Sequence, residues 1–192
     1  VQKNDKNRVN LYVDDEFYSG IPAELVYLEH LKTGLEIDEK DLKKIIFENE
    51  KSKAMSRVTK YIGSSLKTQK QIKDYLRKKE YSNDTIEFVM SKLAEYNYID
   101  DKKYAQAYVL TYGKKYGKLK LISQLKVKGV SEEIIECVLE DNKVDSIESV
   151  ASKYLKNKVI SYEVSQKLFR FLYSRGYEFD EINSYINKLK SR

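Results

Sequence analysis

Few residues in this sequence are of the types that perform catalysis, and they lack the neighbours that catalysis needs. His30 is the only histidine and Cys137 the only cysteine among the 192 residues. No Ser, Cys or Asp is spaced to use His30, and Cys137 lies in an apolar helical run, where a small buried thiol is the ordinary role. The sequence contains no glycine-rich phosphate loop, zinc-ligand spacing or nucleophile elbow. We predict that the protein is not an enzyme.

Two pairs of neighbouring carboxylates are the remaining candidates for a metal site. Asp14 with Asp15, and Asp100 with Asp101, offer the oxygen ligands that hard cations prefer. A turn explains the first pair, and a helix N-cap at Asp101 explains the second. We therefore expect neither a metal nor a cofactor.

Basic residues carry the remaining chemical signal, and they recur in three zones. Residues 1–50 contain 7 basic and 12 acidic groups, a net of −5, whereas residues 51–192 contain 29 basic and 18 acidic groups, a net of +11. The candidates for contact with a polyanion are Lys70, Lys73, Arg77, Lys114, Lys115, Lys118, Lys120, Lys126, Lys167 and Arg170. The same zones also contain Lys128, Lys156, Lys158 and Arg175, with Tyr112 and Tyr116 interleaved.

Recurring lysines with tyrosines between them are typical of surfaces that bind single-stranded nucleic acid, where phosphates meet cations and bases stack on rings. The scarcity of Arg argues against sequence-specific readout of a duplex. For any single Lys, a solvated helix face is the alternative interpretation.

The elements that must position these side chains are mainly helical, because the chain has 1 Pro, 7 Gly and 34% charged residues. Only the start of the chain differs. Alternating apolar residues predict a β-hairpin from Arg8–Val13 and Phe17–Ile21. A helix over Ala23–Lys32 and another over Glu39–Asn49 follow.

A segment of the sequence then occurs three times. Leu76–Ser82 aligns with Leu125–Ser131 at an offset of 49 residues, and again with Leu172–Glu178 at a further 47. Gly129 and Gly176 stand where a helix C-terminus needs a left-handed residue, whereas Glu80 takes that place in the first copy. Tyrosines hold matching places in the first helix of each copy, at Tyr61, Tyr108 and Tyr154.

The repeat predicts three tandem three-helix units that stack into an elongated, curved array behind a small hairpin-and-helix module. The expected domains are residues 1–50 for the N-terminal module and residues 51–100, 101–146 and 147–192 for the repeats. Because the N-terminal module is acidic, we expect it to contact protein rather than nucleic acid, either a partner protein or the chain's own first repeat.

The central repeat resembles the signature of RecX regulatory proteins, which are bacterial regulators of the RecA recombinase. The residues that carry this resemblance are Tyr98, Ile99, Asp100, Asp101, Tyr104, Ala105, Tyr108, Gly117, Leu125 and Gly129. The resemblance implies a protein that binds RecA filaments and inhibits the ATPase, strand-exchange and co-protease activities of RecA. It also implies RecA and single-stranded DNA as partners, with duplex DNA bound weakly.

With a single cysteine, no long apolar run and no leader pattern, we expect a cytoplasmic monomer that does not contact membranes. Two other functions remain open from the sequence. One is a stand-alone helix-turn-helix DNA-binding protein or transcription regulator, and the other is a helical scaffold whose charges only maintain solubility.

Overall fold

The computed structural model describes residues 7–142, 144–156 and 158–191, so the first six residues of the expected N-terminal module lie outside it. In this part of the chain a hairpin of two strands precedes ten helices, which confirms the mainly α fold. The strands are β1 (Arg8–Val13) and β2 (Glu16–Pro22). The helices are α1 (Ala23–Leu28), α2 (Glu39–Gly63), α3 (Gln69–Lys78), α4 (Asn83–Glu95), α5 (Asp101–Tyr112), α6 (Lys118–Val127), α7 (Glu132–Asp141), α8 (Ile147–Leu155), α9 (Tyr162–Ser174) and α10 (Phe179–Lys190).

The chain divides into two compact units. The first contains Val1–Ser65 and Lys73–Tyr98, and the second contains Leu66–Ile72 and Ile99–Arg192. The first turn of α3 therefore belongs to the second unit together with α5–α10.

The hairpin is confirmed, and its turn has the expected chemistry. Val13 pairs with Glu16, so that Asp14 and Asp15 alone form the loop. Both have positive φ, 49° and 65°, which is the pattern of a type I′ turn and suits the twist of paired strands. The acidic pair is therefore accounted for by the turn.

Within the first unit, α2 is tied to the hairpin through a backbone carbonyl. The Lys53 Nζ donates to the Gly20 carbonyl at 3.1 Å, and the Arg8 guanidinium donates to the same oxygen. Burial, together with the nearby charges of Arg8 and Arg57, lowers the pKa of Lys53 to about 8.

Helix α1 is shorter than the sequence predicts. It ends at Leu28 rather than Lys32, because His30 adopts a left-handed conformation with φ 51°. The Leu31 N–H then donates back to the Val26 carbonyl at 2.9 Å, which closes the helix end. The only imidazole of the chain thus lies at a helix terminus.

Helix α2 is longer than the sequence predicts. It runs on to Gly63 instead of ending at Asn49, because Ala54 and Val58 continue the buried face that begins at Leu42. The expected domain boundary at residue 50 falls inside this helix.

The positions that define the repeat are buried in all three copies. Leu76, Leu125 and Leu172 are each fully inaccessible to solvent. In the second unit, α5–α7 and α8–α10 each surround a separate core. The first core contains Ala105, Val109, Leu121, Leu125, Val130, Ile135, Val138 and Leu139. The second contains Ile147, Val150, Ala151, Leu155, Leu168, Leu172, Tyr177, Ile182 and Ile186.

The second helix of one repeat begins against a turn of the next repeat. The Thr68 hydroxyl, just before α3, donates to the Lys128 carbonyl at 2.6 Å. The Gly117 N–H, just before α6, donates to the Arg175 carbonyl at 2.9 Å. Lys128 and Arg175 hold the same place in their repeats, so one carbonyl position receives the neighbouring helix in both cases.

This contact requires glycine at the residue that follows the accepting carbonyl. Gly129 and Gly176 have φ of 85° and 83°, a conformation that side chains disfavour. A Cβ at Gly129 would lie 2.4 Å from the Lys70 Cβ, and one at Gly176 would lie 2.4 Å from the Lys120 backbone nitrogen. Both the backbone angle and the close approach of the adjacent helix therefore exclude larger residues.

The second carboxylate pair is divided between two helices. Asp100, rather than the predicted Asp101, caps α5 by accepting from the Lys103 N–H at 2.9 Å. Asp101 instead accepts from the Gln69 N–H, in the first turn of α3, also at 2.9 Å. Burial raises the pKa of the Asp101 carboxyl, although the hydrogen bond from Gln69 opposes this change.

We predict that Gly129→Ala and Gly176→Ala each lower the free energy of unfolding by about 2 kcal/mol or more, because left-handed strain and overpacking add. Gly34→Ala is the matched control, since Gly34 has φ 78° but nothing within 4 Å of an added Cβ. It should cost only the strain, about 1 kcal/mol. Urea denaturation measures all three, and equal losses would contradict the docking explanation.

We predict that Asp101→Ala lowers the free energy of unfolding by about 1 kcal/mol, the usual cost of a lost helix cap. Asp101→Asn keeps an accepting oxygen and carries no charge, so at pH 7 it should be at least as stable as the natural chain. Because the pKa of Asp101 is raised by folding, the ionised natural chain loses stability above that pKa. The free energy of unfolding of the natural chain should therefore approach that of Asp101→Asn as the pH falls toward the ordinary Asp pKa of about 3.9. Urea titrations between pH 4 and pH 8 measure this difference, and a difference that grows as the pH falls would contradict the prediction.

Candidate polyanion-binding surface

The structure sorts the candidate basic residues into exposed groups and groups engaged in packing. Lys73 and Arg77 are exposed on α3 in the first unit, where Arg77 lies 3.6 Å from Asp74. Lys118, Lys167 and Arg170 are exposed in the second unit. Among the described residues these three make no ion pair, so their charges are available to a ligand.

Three of the candidates have structural contacts. The Lys70 Nζ donates to the Val127 carbonyl at 3.0 Å, which holds its side chain over the Gly129 turn. Lys120 is half-buried beside Gly176, and Lys126 forms an ion pair with Glu132. The other two lysines of the central zone, Lys114 and Lys115, are exposed in the loop after α5 and line a cleft.

The cleft has a volume of about 690 Å³ and lies entirely within the second unit. Its rim is cationic and its floor is apolar or aromatic. The cations are Lys114, Lys115, Lys153, Lys156, Lys158 and Arg175. The floor consists of Val150, Tyr154, Leu155 and Phe171. No acidic residue lines it among the described residues.

Two stacked rings form the aromatic part of the floor. The centroids of Tyr154 and Phe171 lie 4.4 Å apart with an interplanar angle of 25°. The Lys158 Nζ lies 3.9 Å from the Tyr154 centroid, and the Arg175 guanidinium carbon lies 4.9 Å from the Phe171 centroid. Cations therefore lie over both rings.

Arg175 connects this floor to the central repeat. Its guanidinium carbon lies 5.5 Å from the Tyr116 centroid, and its Nη1 donates to the Lys115 carbonyl at 3.3 Å. A guanidinium placed between two rings is a stable arrangement, because it stacks on π-systems and is weakly hydrated. The loop that carries Lys114 and Lys115 is thereby held against the third repeat.

The tyrosines near the basic residues form a row along α5 and the loop that follows it. Successive centroids of Tyr104, Tyr108, Tyr112 and Tyr116 are 6.3, 4.5 and 5.9 Å apart. Burial raises the pKa of Tyr108 to about 12, and its hydroxyl donates to Gln124. Because these rings contact each other, they expose less ring surface for stacking with bases than the sequence alone suggests.

The Tyr of the first helix contacts the same position of the second helix in every repeat. Tyr61 stacks on Tyr75 with centroids 4.2 Å apart, as Tyr154 stacks on Phe171. In the central repeat the partner is Gln124, which forms a hydrogen bond with Tyr108 instead. The aromatic floor of the cleft is thus one version of a contact built into the repeat.

Sequence reasoning missed Lys153 and did not place Tyr154 or Phe171 in a binding site. Phe171 occupies the position of Tyr75 in the repeat alignment, which was the available signal. Lys153 is also the only cleft cation in ion-pair contact with a carboxylate among the described residues, at 3.3 Å from Asp145. The remaining cations repel one another, and an anion in the cleft would relieve that repulsion.

The residues that carry the sequence resemblance hold the repeats together. Ala105 and Leu125 are buried in the core, and Asp100 and Asp101 cap helices. The Tyr98 N–H donates to the Leu93 carbonyl at 2.9 Å, closing α4, and Ile99 is half-buried beyond it. None of the motif residues lines the cleft.

The remaining reactive group is Cys137, which is half-buried rather than fully buried. The Lys102 Nζ lies 3.2 Å from its Sγ, and this hydrogen bond raises the pKa of Lys102. The described residues contain no cluster of side chains suited to a metal ion. None of the described helices is long and apolar enough to span a membrane.

Four domain descriptions of one family match successive parts of the chain. The Regulatory protein RecX N-terminal domain matches residues 1–38. The first, second and third three-helix domains of RecX match residues 54–93, 100–139 and 140–186.

Similar full-length proteins and solved structures agree with this match. The Regulatory protein RecX of Clostridium tetani is 39% identical over 197 residues, covering 98% of this chain and 91% of that protein. The one from Bacillus velezensis is 30% identical, covering 95% of this chain and 73% of that protein. A crystal structure of regulatory protein RecX superposes with a TM-score of 0.64 at 25% identity, covering 97% of this chain and 95% of that one. The structure of RecX from Lactobacillus salivarius gives a TM-score of 0.61 at 25% identity, covering 76% and 99%.

This chain therefore belongs to the RecX family of regulatory proteins, because it matches the N-terminal domain and all three three-helix domains of the family and is 39% identical to one member over 98% of its length.

Proposed function

We propose that this protein binds RecA filaments on single-stranded DNA and inhibits the ATPase, strand-exchange and co-protease activities of RecA, thereby regulating DNA repair and the SOS response. The protein acts by binding and has no enzymatic activity of its own. Family membership supports this proposal, because the relatives along the whole chain are named regulatory proteins. The observation that carries the DNA part is a group of exposed cations in the second unit, including Lys115 and Lys118, that make no ion pair among the described residues.

The experiment that tests the function is co-sedimentation with RecA on single-stranded DNA, combined with an assay of RecA ATPase at sub-stoichiometric amounts of this protein. We expect co-sedimentation and inhibition. Absence of both would refute the proposal. A clear consensus site in a duplex selection without RecA would favour a stand-alone DNA-binding protein instead.

We predict that Lys115→Gln with Lys118→Gln weakens the salt dependence of single-strand binding. If both lysines contact phosphates, the slope of log affinity against log salt should flatten by roughly 1.4, since each contact contributes about 0.7. Lys120 is left unchanged, because it packs against the Gly176 turn. Lys188→Gln with Lys190→Gln removes the same charge from α10 and is the matched control. Equal slopes in both variants would place the DNA contact elsewhere.

The N-terminal module is proposed to contact RecA rather than DNA, because its charge repels phosphate and its exposed side chains include large apolar ones. Tyr27 is 80% exposed and Leu28 is 61% exposed on α1. Tyrosine is enriched among the few interface residues whose truncation weakens binding tenfold or more.

We predict that Tyr27→Ser with Leu28→Ser leaves single-strand affinity unchanged and raises the concentration needed to inhibit RecA ATPase by about tenfold. Stability should change by about 0.5 kcal/mol or less per substitution, because both side chains are exposed. The readouts are strand-binding anisotropy and the ATPase assay. A loss of strand binding in a folded variant would show that the module contacts DNA.

A further inference from the structure

The cleft in the second unit has features that a general basic surface lacks. Its volume of about 690 Å³ lies within the range of small-molecule sites, roughly 300–1,000 Å³. It combines six cations with a floor of stacked rings. Phosphate alone would need only the cations, and an apolar ligand would need only the floor. The combination fits a ligand with a flat ring system and attached phosphates.

The backbone at the cleft adds a second observation. Lys156 follows α8 with φ 41°, a left-handed conformation that a residue other than glycine adopts at a cost. Its side chain is exposed and lines the cleft. The chain therefore tolerates strain at the point where a lysine is directed toward the cleft, and such strain is concentrated at functional sites.

The face of Tyr154 shows where the flat part of a ligand would lie. One face of the ring stacks on Phe171, and the Lys158 Nζ lies 3.9 Å from the ring centroid. Lys158 is exposed and makes no ion pair among the described residues. An exposed cation–π contact is weaker than the stacking of a base on a ring. A base can therefore replace the ammonium.

We propose that this cleft binds one nucleotide. The base stacks on Tyr154 in the place of the Lys158 ammonium, and Lys158 turns to join Lys156 and Lys114 around the phosphate. Arg175 holds Phe171 and the Lys115 carbonyl in position behind the ring. The nucleotide is either one unit of a single strand or a free nucleoside triphosphate, since both present the same base and phosphate. This inference rests on the proposed function, because the single strand in question is the one that RecA coats.

The first test compares Tyr154→Leu, Tyr154→Phe and the control Tyr162→Leu by fluorescence anisotropy with a labelled oligo-dT. Tyr162 is 75% exposed and does not line the cleft. Tyr154→Leu should weaken binding by roughly 5- to 150-fold, the range for loss of one stacked base. Tyr154→Phe keeps the ring and should bind within about twofold of the natural chain. Equal affinity of Tyr154→Leu and Tyr162→Leu would overturn the proposal, and cross-linking of the natural chain decides the question if the Leu variant is unstable.

The second test locates the contact directly. An oligo-dT with one 5-iodouracil, irradiated in complex with the full chain, should cross-link to the peptide that contains Tyr154. Lys156→Gln with Lys158→Gln should reduce the salt slope by roughly 1.4, whereas Lys188→Gln with Lys190→Gln should not. Cross-linking confined to other peptides would overturn the proposal.

Competition distinguishes the two sources of the nucleotide. The concentration of ATP that displaces labelled oligo-dT is compared with the concentration of unlabelled oligo-dT, counted per nucleotide, that does the same. If the ATP concentration is lower, a free nucleotide is the preferred occupant. If only oligo-dT competes, the occupant is a strand. Binding of neither probe would overturn the proposal. The proposed function is judged separately, because inhibition of RecA by the natural chain does not depend on the Tyr154 variants, and its absence would refute that function alone.

Discussion

The second unit depends on one repeated contact, in which the start of a helix is held against a left-handed turn of the next repeat. The carbonyl before the turn accepts a hydrogen bond, from the Thr68 hydroxyl at Lys128 and from the Gly117 N–H at Arg175. The turn carbonyl would otherwise lack a partner, so a donor at the start of the neighbouring helix, a hydroxyl in one case and a backbone N–H in the other, satisfies it. The contact leaves no room for a Cβ, and this fixes glycine at the following position.

The same constraint explains why Glu80 occupies the equivalent place in the first repeat. Its φ of 61° shows that the turn has the same left-handed form. Among the described residues 7–80, no three-helix repeat comes before this turn, so no helix of an earlier repeat approaches it there. Glutamate then costs only the backbone strain, whereas at Gly129 or Gly176 it would also displace a neighbouring helix. What looks like a departure from the repeat is therefore a consequence of position along the chain.

The repeat contact also creates the basic cleft. Because Arg175 precedes Gly176, the turn that receives Gly117 also places a guanidinium against Phe171 and Tyr116. The loop with Lys114 and Lys115 is thereby brought beside the cations that follow α8. Five of the six cleft cations make no ion pair among the described residues. Like charges so close together lower stability unless salt or a ligand screens them, and screening at physiological salt acts over about 8 Å. The packing of the repeat therefore brings together the charges on which the proposed nucleotide site rests.

The sequence by itself determined the helical class, the hairpin, the threefold repeat and its buried positions, because apolar periodicity and capping residues act over a few neighbours. It also placed Gly129 and Gly176 at helix ends. It misjudged the end of α1, where His30 adopts a left-handed backbone, and the end of α2, where burial of Ala54 and Val58 depends on packing. Only the tertiary structure decided that Asp101 caps α3 rather than its own helix, that Lys70 and Lys120 pack against turns, and that Tyr154 and Lys158 share a cleft with Lys114. These assignments join residues some 30 to 60 positions apart, such as Gln69 with Asp101 and Thr68 with Lys128. Spacing along the chain does not encode them, because they follow from how helix starts and turns pack together within the second unit.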